Sequence, residues 1–267
     1  MNELIKQTEK LKISEDEKIS NGSMTAKGGF KLEKIMRNYI NSFPNGKSRI
    51  FKNVNIYLFL SDNSSCEILS GKKSDLVIKD KISTTYVQVK RVSNYKSSYN
   101  QIDKRWVDKY GKLLNIPVDI IKILKKYTGE LKITQNKKSL PLTEHPKVDI
   151  NKLILFFEIN KEKILKLVIF GNNPKYYPKY YIICIQPKMK GVEKSYIIST
   201  QDIFNFYMKK KVFVTKRGIL RIGSMTIQRK GGDKGAKTAQ MLQFKIKPLD
   251  LIYLEKLLIN KITSNTI

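Results

Sequence analysis

Short segments of alternating apolar residues are interleaved along this chain with segments of helical period. Residues 54–60 (VNIYLFL) alternate as a half-buried strand does, and Lys179–Gln186, with the letters YYIICIQ after the lysine, has the continuous apolar run of a buried strand. Residues 150–170 carry apolar side chains at helical spacing instead. Because strands and helices do not alternate regularly, we predict a mixed α/β fold, a mixed sheet with flanking helices, rather than a doubly wound one.

The same periodicities predict the other elements. Strands are predicted at Cys66–Leu69, Asp75–Ile78, Thr85–Lys90, Ile197–Ile198, Ile219–Gln228 and Gln240–Lys247. Helices are predicted from a cap at Thr25 to about Pro44, over Tyr99–Leu114, Ile116–Tyr127 and Ile150–Phe170, over Gln201–Met208 behind a cap at Thr200, and after Pro248. The first helix is expected to bury Phe30, Met36, Ile40 and Phe43, with Glu33 leaning towards the same side.

Charge restricts the partners of the chain. Its 267 residues include 52 Lys and Arg against 23 Asp and Glu, and the net charge of +29 is far more than solubility requires. Such a field attracts polyanions, so DNA or RNA is the expected partner; an anionic membrane surface or a compositional bias towards lysine is the alternative. The apolar runs are too short to span a bilayer, and the N-terminus has no apolar signal region, so a cytoplasmic protein is expected.

Histidine and cysteine are too scarce for several kinds of active site. The chain has one histidine, His145, and two cysteines, Cys66 and Cys184, which lie far apart and form no CxxC pair. Zinc fingers, zinc deaminases and Ser-His-Asp hydrolases need more such residues, or a nucleophile motif that this sequence does not contain. Any catalysis therefore depends on carboxylates, amides, lysines and a hard metal ion.

The best candidate for such a site lies in two neighbouring predicted strands. Asp75 opens one strand, and Gln88 and Lys90 lie two residues apart on the next. Period two places these two on one face of their strand and Val87 and Val89 on the core side. Strand pairing can then bring a carboxylate and an amide together as ligands of a divalent cation, with an ammonium near a bound water. The alternative is that Gln88 and Lys90 belong to a solvated strand face.

This pattern resembles the PD-(D/E)XK nuclease motif with its middle acid replaced by glutamine. The chain also resembles one family of such nucleases, the HinP-type type II restriction endonucleases that cut GCGC, with the CCGG-cutting MspI type as a more distant relative. The stretches that carry the resemblance are SMTAKGGFKLEK (23–34), LSGKKSD (69–75), VQVKRVSN (87–94), YNQIDKRW (99–106) and TIQRKGGDKGAKTAQMLQFKI (226–246). The resemblance is weakest over residues 131–215.

The resemblance implies roles for the candidate site. Asp75, preceded by Ser74, matches the metal-binding aspartate of the family, and Gln88 and Lys90 match its catalytic Gln-x-Lys. Mg²⁺ is the implied cofactor, held by Asp75 and Gln88. Glu33 and Ser74 are candidates for residues that support the metal ligands without binding the metal directly. For Glu33, the alternative is an ion pair with a nearby lysine. The connection between Asp75 and Gln88 is shorter than in the best-known member of the family, a difference close to the metal site.

The resemblance also implies a DNA-binding segment after the candidate site. Tyr99 stands where the family has a phenylalanine that wedges into the base stack. Asn100, Gln101 and Lys104 follow at the spacing of a helix start and are expected in the minor groove.

A second DNA-binding segment is expected in the polar loop that begins near residue 229. The candidate base-reading residues are Gln228, Arg229, Lys230 and Asp233, with glycines at 231 and 232 that allow close approach to base edges. Arginine and lysine suit the guanine O6 and N7 acceptors, and an aspartate or a backbone carbonyl suits the cytosine N4 donor. The alternative is a basic loop that contacts only phosphates.

The implied function is a Mg²⁺-dependent type II restriction endonuclease that recognises double-stranded GCGC and cuts after the first G to leave 5′ overhangs. It is expected to act as a monomer beside a DNA methyltransferase that protects the host. We expect a polar arm at residues 1–22 and one domain at 23–267, with a catalytic core at about 23–130 and a recognition region at about 215–247. The alternatives are a non-catalytic nucleic-acid-binding protein on a degenerate nuclease fold and a nuclease with a different task.

Overall fold

The computed structural model describes most of the chain from residue 28 onwards. The described residues are 28–41, 49–50, 55–56, 64–81, 83–94, 98–131, 139–187, 192, 194–231 and 237–264, with only the backbone of 49–50, 55–56 and 262–264. The predicted arm at 1–22, the cap at Thr25, Phe43, most of the strand predicted at 54–60, and Gly232 and Asp233 of the recognition loop lie outside these residues.

Strands and helices alternate irregularly in this part of the chain. The strands are β1 (Arg49–Ile50), β2 (Asn55–Ile56), β3 (Ser65–Ile68), β4 (Leu76–Lys79), β5 (Thr84–Val92), β6 (Asn100–Arg105), β7 (Tyr180–Ile185), β8 (Lys194–Ser199), β9 (Val212–Val214), β10 (Leu220–Ile222), β11 (Met225–Arg229) and β12 (Leu242–Ile246). The helices are α1 (28–41), α2 (Val107–Leu114), α3 (Val118–Thr128), α4 (Lys147–Ile159), α5 (Lys161–Leu165), α6 (Thr200–Met208) and α7 (Glu255–Ser264), and a π-helical turn (Lys166–Phe170) continues α5. No helix within the described ranges has the length and apolar character needed to cross a membrane.

The first sheet has the strand order β3-β4-β5-β7-β8, antiparallel except for the parallel pair β5–β7. The apolar strand β7 lies inside it and serves two cores. Ile182 and Cys184 pack with the α1 side chains, whereas Tyr181, Ile183 and Ile185 belong to the larger core on the opposite face. A strand covered on both faces has no polar side, which explains its continuous apolar sequence.

The second sheet has the strand order β6-β12-β11-β10-β9 and is antiparallel throughout. Its residues Leu242, Phe244 and Ile246 alternate along β12 and belong to the same larger core as the first sheet. The two sheets therefore share one core, with helices packed around them, and the predicted mixed α/β fold is confirmed.

The helix predicted over Tyr99–Leu114 is wrong in its first half. Residues 100–105 form the strand β6, and α2 begins only at Val107, after Trp106 in an extended conformation (ψ 147°). Strand β6 pairs with β12, which lies far along the chain. Such long-range pairing overrides local periodicity, so the local pattern could not reveal it.

Three smaller predictions are also corrected. The strand predicted over Ile219–Gln228 is a hairpin of β10 and β11, turning at Gly223 with a positive φ of 56° that suits glycine. Helix α6 begins at Thr200, so Ser199, rather than Thr200, precedes it. Phe30 is 66% exposed, because the buried face of α1 is formed by residues 32, 36 and 40.

Both cysteines are buried free thiols. Cys66 lies on β3 and Cys184 on β7, and both pack in the core beneath α1. Burial raises the pKa of each thiol to about 12.

Candidate active site

Asp75 lies directly before β4, where the chain leaves the bend that follows β3. Its backbone N–H donates to the Val87 carbonyl (2.9 Å), and its carbonyl accepts from the Leu69 amide (2.8 Å). One bond goes to β5 and the other returns to the end of β3. The Asp75 backbone is therefore held from both sides.

Two donors of β5 converge on one oxygen of the Asp75 carboxylate. Oδ2 accepts a hydrogen bond from the Val89 N–H (2.7 Å) and another from the Gln88 side-chain nitrogen Nε2. The predicted neighbourhood of Asp75 and Gln88 is thus present. Gln88 is only 4% exposed, while Val87 and Val89 belong to the core beneath α1. Gln88 is therefore not part of a solvated strand face.

Glu33 and Lys90 lie beside this pair. Lys90 follows Gln88 by two residues on β5 and is partly buried, and α1 carries Glu33. Burial raises the pKa of the Glu33 carboxyl to about 7; the charge of Asp75 adds to the rise, and the Lys90 ammonium opposes it. No lysine forms an ion pair with Glu33 within the described part of the chain. The structure therefore brings Glu33, Asp75, Gln88 and Lys90 together.

Ser74 and Lys73 attach the bend before Asp75 to more distant segments. The buried Ser74 hydroxyl donates to the Tyr176 carbonyl (2.9 Å). The Lys73 ammonium donates to the Ile102 carbonyl (2.6 Å) and to the Val168 carbonyl. Burial lowers the pKa of Lys73 to about 7, and the charge of Asp103 opposes this shift. Ser74 thus supports the backbone that presents Asp75.

The ligand set suits a hard cation that takes part of its coordination from elsewhere. Among the residues the structure describes, no group of three or more His, Cys, Asp and Glu side chains could hold a metal. Asp75 offers a carboxylate, and its two contacts in the described region both use Oδ2 rather than Oδ1. A half-turn of the Gln88 amide would offer Oε1 in place of Nε2, since the two ends have nearly the same shape. With Glu33 nearby, these oxygens fit a divalent cation completed by water and phosphate.

The first predicted DNA-binding segment lies on the strand β6 and not at a helix start. Tyr99 is partly buried directly before the strand, and Gln101 and Lys104 are exposed on it. The Asn100 side chain donates to the Arg91 carbonyl (2.8 Å), so it links β6 to the end of β5. Contact of these residues with the minor groove stays a prediction.

The second predicted segment begins at the end of β11. Gln228 and Arg229 are its last residues, and Lys230 and Gly231 open the loop. The Lys230 amide donates to the Met241 carbonyl (2.8 Å), and the Gly231 amide donates to the Ala239 carbonyl (2.9 Å). The base of the recognition loop is therefore closed by backbone hydrogen bonds before the chain reaches Asp233.

Strand register places Gln228 of the second segment and Lys104 of the first on one sheet face, whereas Arg229 is paired with the core residue Leu242. Gln243 of β12 is paired with Gln228 of β11 on one side and with Lys104 of β6 on the other. Directly paired residues of antiparallel strands point to the same face, and adjacent strands lie about 4.8 Å apart. The backbones at Lys104 and Gln228 are thus roughly 10 Å apart.

Two polar residues, the buried Gln243 and the partly buried Lys73, are missing from the set predicted above. Gln243 is 2% exposed, and its amide nitrogen donates to the carbonyls of Arg229 (3.3 Å) and Lys230 (3.2 Å). Alternation with the apolar residues at 242, 244 and 246 is a signal that could have placed Gln243 on the recognition face. Lys73 stands two residues before Asp75, but its partners lie too far along the chain to be seen in the sequence.

Comparison with known proteins indicates which chemistry this geometry serves. The family model described as R.HinP1I restriction endonuclease matches residues 29–252. The chain belongs to this restriction endonuclease family. No curated protein matches the chain. Among solved structures, the restriction endonuclease MspI in complex with its cognate DNA is similar, with 14% identity over 68% of this chain and 70% of that chain and a TM-score of 0.49.

Membership of the R.HinP1I family confirms the resemblance to the HinP type, and the matched residues include both the Asp75 site and the two segments predicted to bind DNA. The chain is accordingly a type II restriction endonuclease, a site-specific DNA nuclease. Enzymes of this class generally use divalent metal ions. A non-catalytic nucleic-acid-binding protein is not the function that this family supports.

Proposed function

We propose that this R.HinP1I-family enzyme requires Mg²⁺, recognises double-stranded GCGC and cuts after the first G to leave 5′ overhangs. The observation that carries the catalytic part is the buried contact between Asp75 and Gln88 on adjacent strands, with Lys90 and Glu33 beside it. Support for GCGC comes from the resemblance of residues 226–246 to the GCGC-cutting enzymes and from the donors and acceptors that this stretch carries.

Asp75 and Gln88 would hold the cation, and Glu33 would support it. Bound there, Mg²⁺ would polarise the scissile phosphate and lower the pKa of a coordinated water. The Val89 N–H fixes one carboxylate oxygen of Asp75, which keeps the other oxygen in one place. Lys90 would hold the attacking water as an ammonium or, as a neutral amine, would accept the proton of that water.

Base recognition would come from the loop that follows β11, with β6 on the other side of β12. Arg229 and Lys230 would donate to guanine O6 and N7, and Asp233 would accept from cytosine N4. Within the described residues, the Arg229 Nε is buried and has no hydrogen-bond partner, and a base or a phosphate would satisfy it. Tyr99, Asn100, Gln101 and Lys104 would contact DNA from β6.

We further infer a catalytic core at about residues 23–130 and a recognition region at about 215–247. One set of catalytic side chains per chain supports action as a monomer that cuts the two strands in turn. A nuclease of this kind would destroy unprotected host DNA, so a methyltransferase that modifies the same site is the expected functional partner.

Mapping the ends of a digested plasmid of known sequence tests the proposal. With Mg²⁺, sequencing should place all ends after the first G of GCGC, and the same plasmid methylated at these sites should stay intact. Ends at other sequences would contradict the assigned specificity. An intact unmethylated plasmid in both Mg²⁺ and Mn²⁺ would contradict the catalytic assignment.

A further inference from the structure

Lys73 is a partly buried lysine whose side-chain nitrogen contacts backbone carbonyls from two other parts of the fold. Its ammonium donates to Ile102, on the strand β6 of the second sheet, and to Val168, in the turn that continues α5. Both acceptor residues are buried, at 8% and 0% exposure. Because the chain enters β4 three residues later, Lys73 joins the first sheet, the second sheet and a helix end.

Both acceptors need a partner from outside their own element. Strand β6 is at the edge of the second sheet, and in the described part of the chain its strand partner is β12 alone. Val168 lies in the last helical turn, whose carbonyls lack partners further along the helix. A buried carbonyl without a hydrogen bond is costly, so the Lys73 ammonium satisfies two such groups at once.

The aliphatic part of the Lys73 side chain is also restricted, by close contact with the backbone at Gly171. Gly171 has a φ of 103°, and a Cβ placed there would lie 3.0 Å from both Cβ and Cγ of Lys73. Glycine therefore allows the chain after α5 to pass directly over the lysine stem. This contact leaves Lys73 little freedom to place its ammonium elsewhere.

The segment from Lys73 to Asp75 is tied down residue by residue. The Lys73 ammonium donates hydrogen bonds to β6 and to the helix end, and the Ser74 hydroxyl donates one to the Tyr176 carbonyl. The Asp75 carboxylate then accepts a hydrogen bond from the Val89 N–H. One connection from β6 to the catalytic carboxylate therefore runs through the Lys73 ammonium and two peptide units, and a second runs from Asn100 through Arg91 to Val89.

We propose that Lys73 is a positioning residue that fixes the Asp75 carboxylate relative to β6. DNA bound along β6 then meets the carboxylate at a set distance. The second statement rests on the proposed function, since it needs β6 to contact DNA. The first statement concerns the protein alone and can be tested without DNA or metal.

Amide hydrogen exchange at Val89 is the direct readout, because its N–H donates to Asp75. In Lys73→Met, which keeps the stem but removes the ammonium, the Val89 amide should exchange about tenfold faster relative to the Ile183 amide on β7. Using the ratio cancels changes in global stability. Nuclear magnetic resonance of the metal-free protein measures both amides in one sample.

Lys161→Met is the matched control for loss of a buried lysine. Lys161 as a whole residue is 9% exposed, and its ammonium donates to the Lys210 carbonyl (3.0 Å) and to Glu158, neither of which belongs to the Asp75 segment. This variant should be destabilised with an unchanged Val89 to Ile183 ratio. Lys72→Met controls for the lost charge, because Lys72 is exposed and lies over the Tyr176 ring. The proposal is overturned if the ratio of Val89 to Ile183 exchange rates in Lys73→Met is no larger than in these two controls.

Lys73→Arg keeps the test decisive if the methionine variant does not fold. The larger planar head group cannot occupy the same space between two carbonyls, so the Val89 ratio should rise about threefold. An unchanged ratio in a folded Lys73→Arg protein overturns the proposal in the same way.

Cleavage kinetics test the link to DNA separately. Lys73→Met should slow single-turnover cleavage by about 10- to 100-fold while the Kd for cognate DNA in Ca²⁺ changes less than about twofold. An unchanged cleavage rate together with a raised ratio of Val89 to Ile183 exchange rates would contradict the statement about DNA. It would leave the statement that Lys73 positions Asp75 intact. Absence of cleavage by the wild-type enzyme would refute the proposed function, and the Val89 ratio would still decide the role of Lys73.

Discussion

The residues predicted to act on metal on the first sheet and two of those predicted to contact DNA on the second sheet differ in burial. On the first sheet, Gln88 is buried and bonded to Asp75, and the Asp75 segment is anchored through Ser74 and Lys73. On the second sheet, Gln101 and Lys104 are exposed to solvent. Groups that are bonded to one another keep one geometry before a substrate arrives, whereas exposed groups gain partners only on binding. We therefore expect the catalytic side of this enzyme to be preorganised and its DNA-reading side to depend on DNA.

The largest effect should come from the first sheet. Asp75→Ala and Lys90→Ala should each lower the single-turnover cleavage rate by about 10²- to 10⁴-fold, because they act on metal and water. Binding of GCGC DNA, measured by gel shift in Ca²⁺, should be retained. Asp119→Ala and Lys79→Ala make the same charge changes at exposed positions and should cleave normally. Loss of binding in parallel with cleavage would make the two residues structural and would break the comparison.

The next effect should come from the second sheet. Arg229→Ala should reduce the preference for GCGC over other sequences by about 10- to 100-fold, since one good base contact contributes about 1–3 kcal/mol. Competition binding measures this ratio. Lys237→Ala, at the exposed far end of the same loop, should weaken binding to all sequences equally and leave the preference intact.

Salt separates the two kinds of DNA contact on this sheet. Binding of non-target DNA should fall steeply as salt rises, because phosphate contacts release counterions. The preference for GCGC should persist, since groove contacts release none. If specific and non-specific binding decline with one slope and no preference remains, the loop that begins at Gln228 does not read bases.

A smaller effect should follow from changing the charge of the catalytic pair. Asp75 is the only formal anion that the two strands contribute to the pair, so the free protein should bind Mg²⁺ weakly and bind it more tightly with cognate DNA. Gln88→Glu should raise the Mg²⁺ affinity of the free protein by about tenfold. Its activity need not rise, because the added carboxylate can repel the phosphate or pair with Lys90.

Calorimetry with Mg²⁺ or Mn²⁺, with and without DNA, measures these affinities. Gln201→Glu adds the same charge at an exposed position of α6 and should leave them unchanged. Tight binding of metal by the wild-type protein without DNA would contradict this description of the site.

The smallest effect concerns the pH dependence of stability, through a buried histidine in a segment that packs beside the second sheet. His145 is the only histidine in the chain and is buried, in a segment whose Leu142 amide donates to Gly218 (3.3 Å) before β10. Burial lowers the pKa of His145 below its ordinary value of 6.5. The unfolded chain therefore takes up a proton first as the pH falls. Stability should be full above about pH 6.5 and should decrease below it, towards the folded pKa.

Urea unfolding at about pH 7.5 and about pH 5 measures this dependence. His145→Gln should remove part of the loss at the lower pH. Equal pH dependence in the wild-type protein and the variant would show that other groups control the acid stability.

Local spacing carried the prediction of the catalytic pair. Asp75 and Gln88 belong to neighbouring strands, so period two and one short connection indicate that they can meet, and the family resemblance favours this arrangement over a solvated strand face. Local spacing predicts a helix where strand β6 lies, because the partner of that strand, β12, is far along the chain. The contacts of Lys73 cannot be predicted from local spacing for the same reason. Ile102 and Val168 are far from Lys73 along the chain, and only the tertiary fold brings them close to it. The sequence thus predicted contacts made between adjacent elements and missed those made by the tertiary fold.

The two buried thiols determine how the protein can be labelled. With pKa values of about 12, Cys66 and Cys184 remain protonated at neutral pH, and thiol reagents attack the thiolate. A cysteine introduced at exposed Lys104 would therefore react with a maleimide dye far faster than either native cysteine. Fluorescence from that position could follow the arrival of DNA at the edge of the second sheet, with both native cysteines left in place.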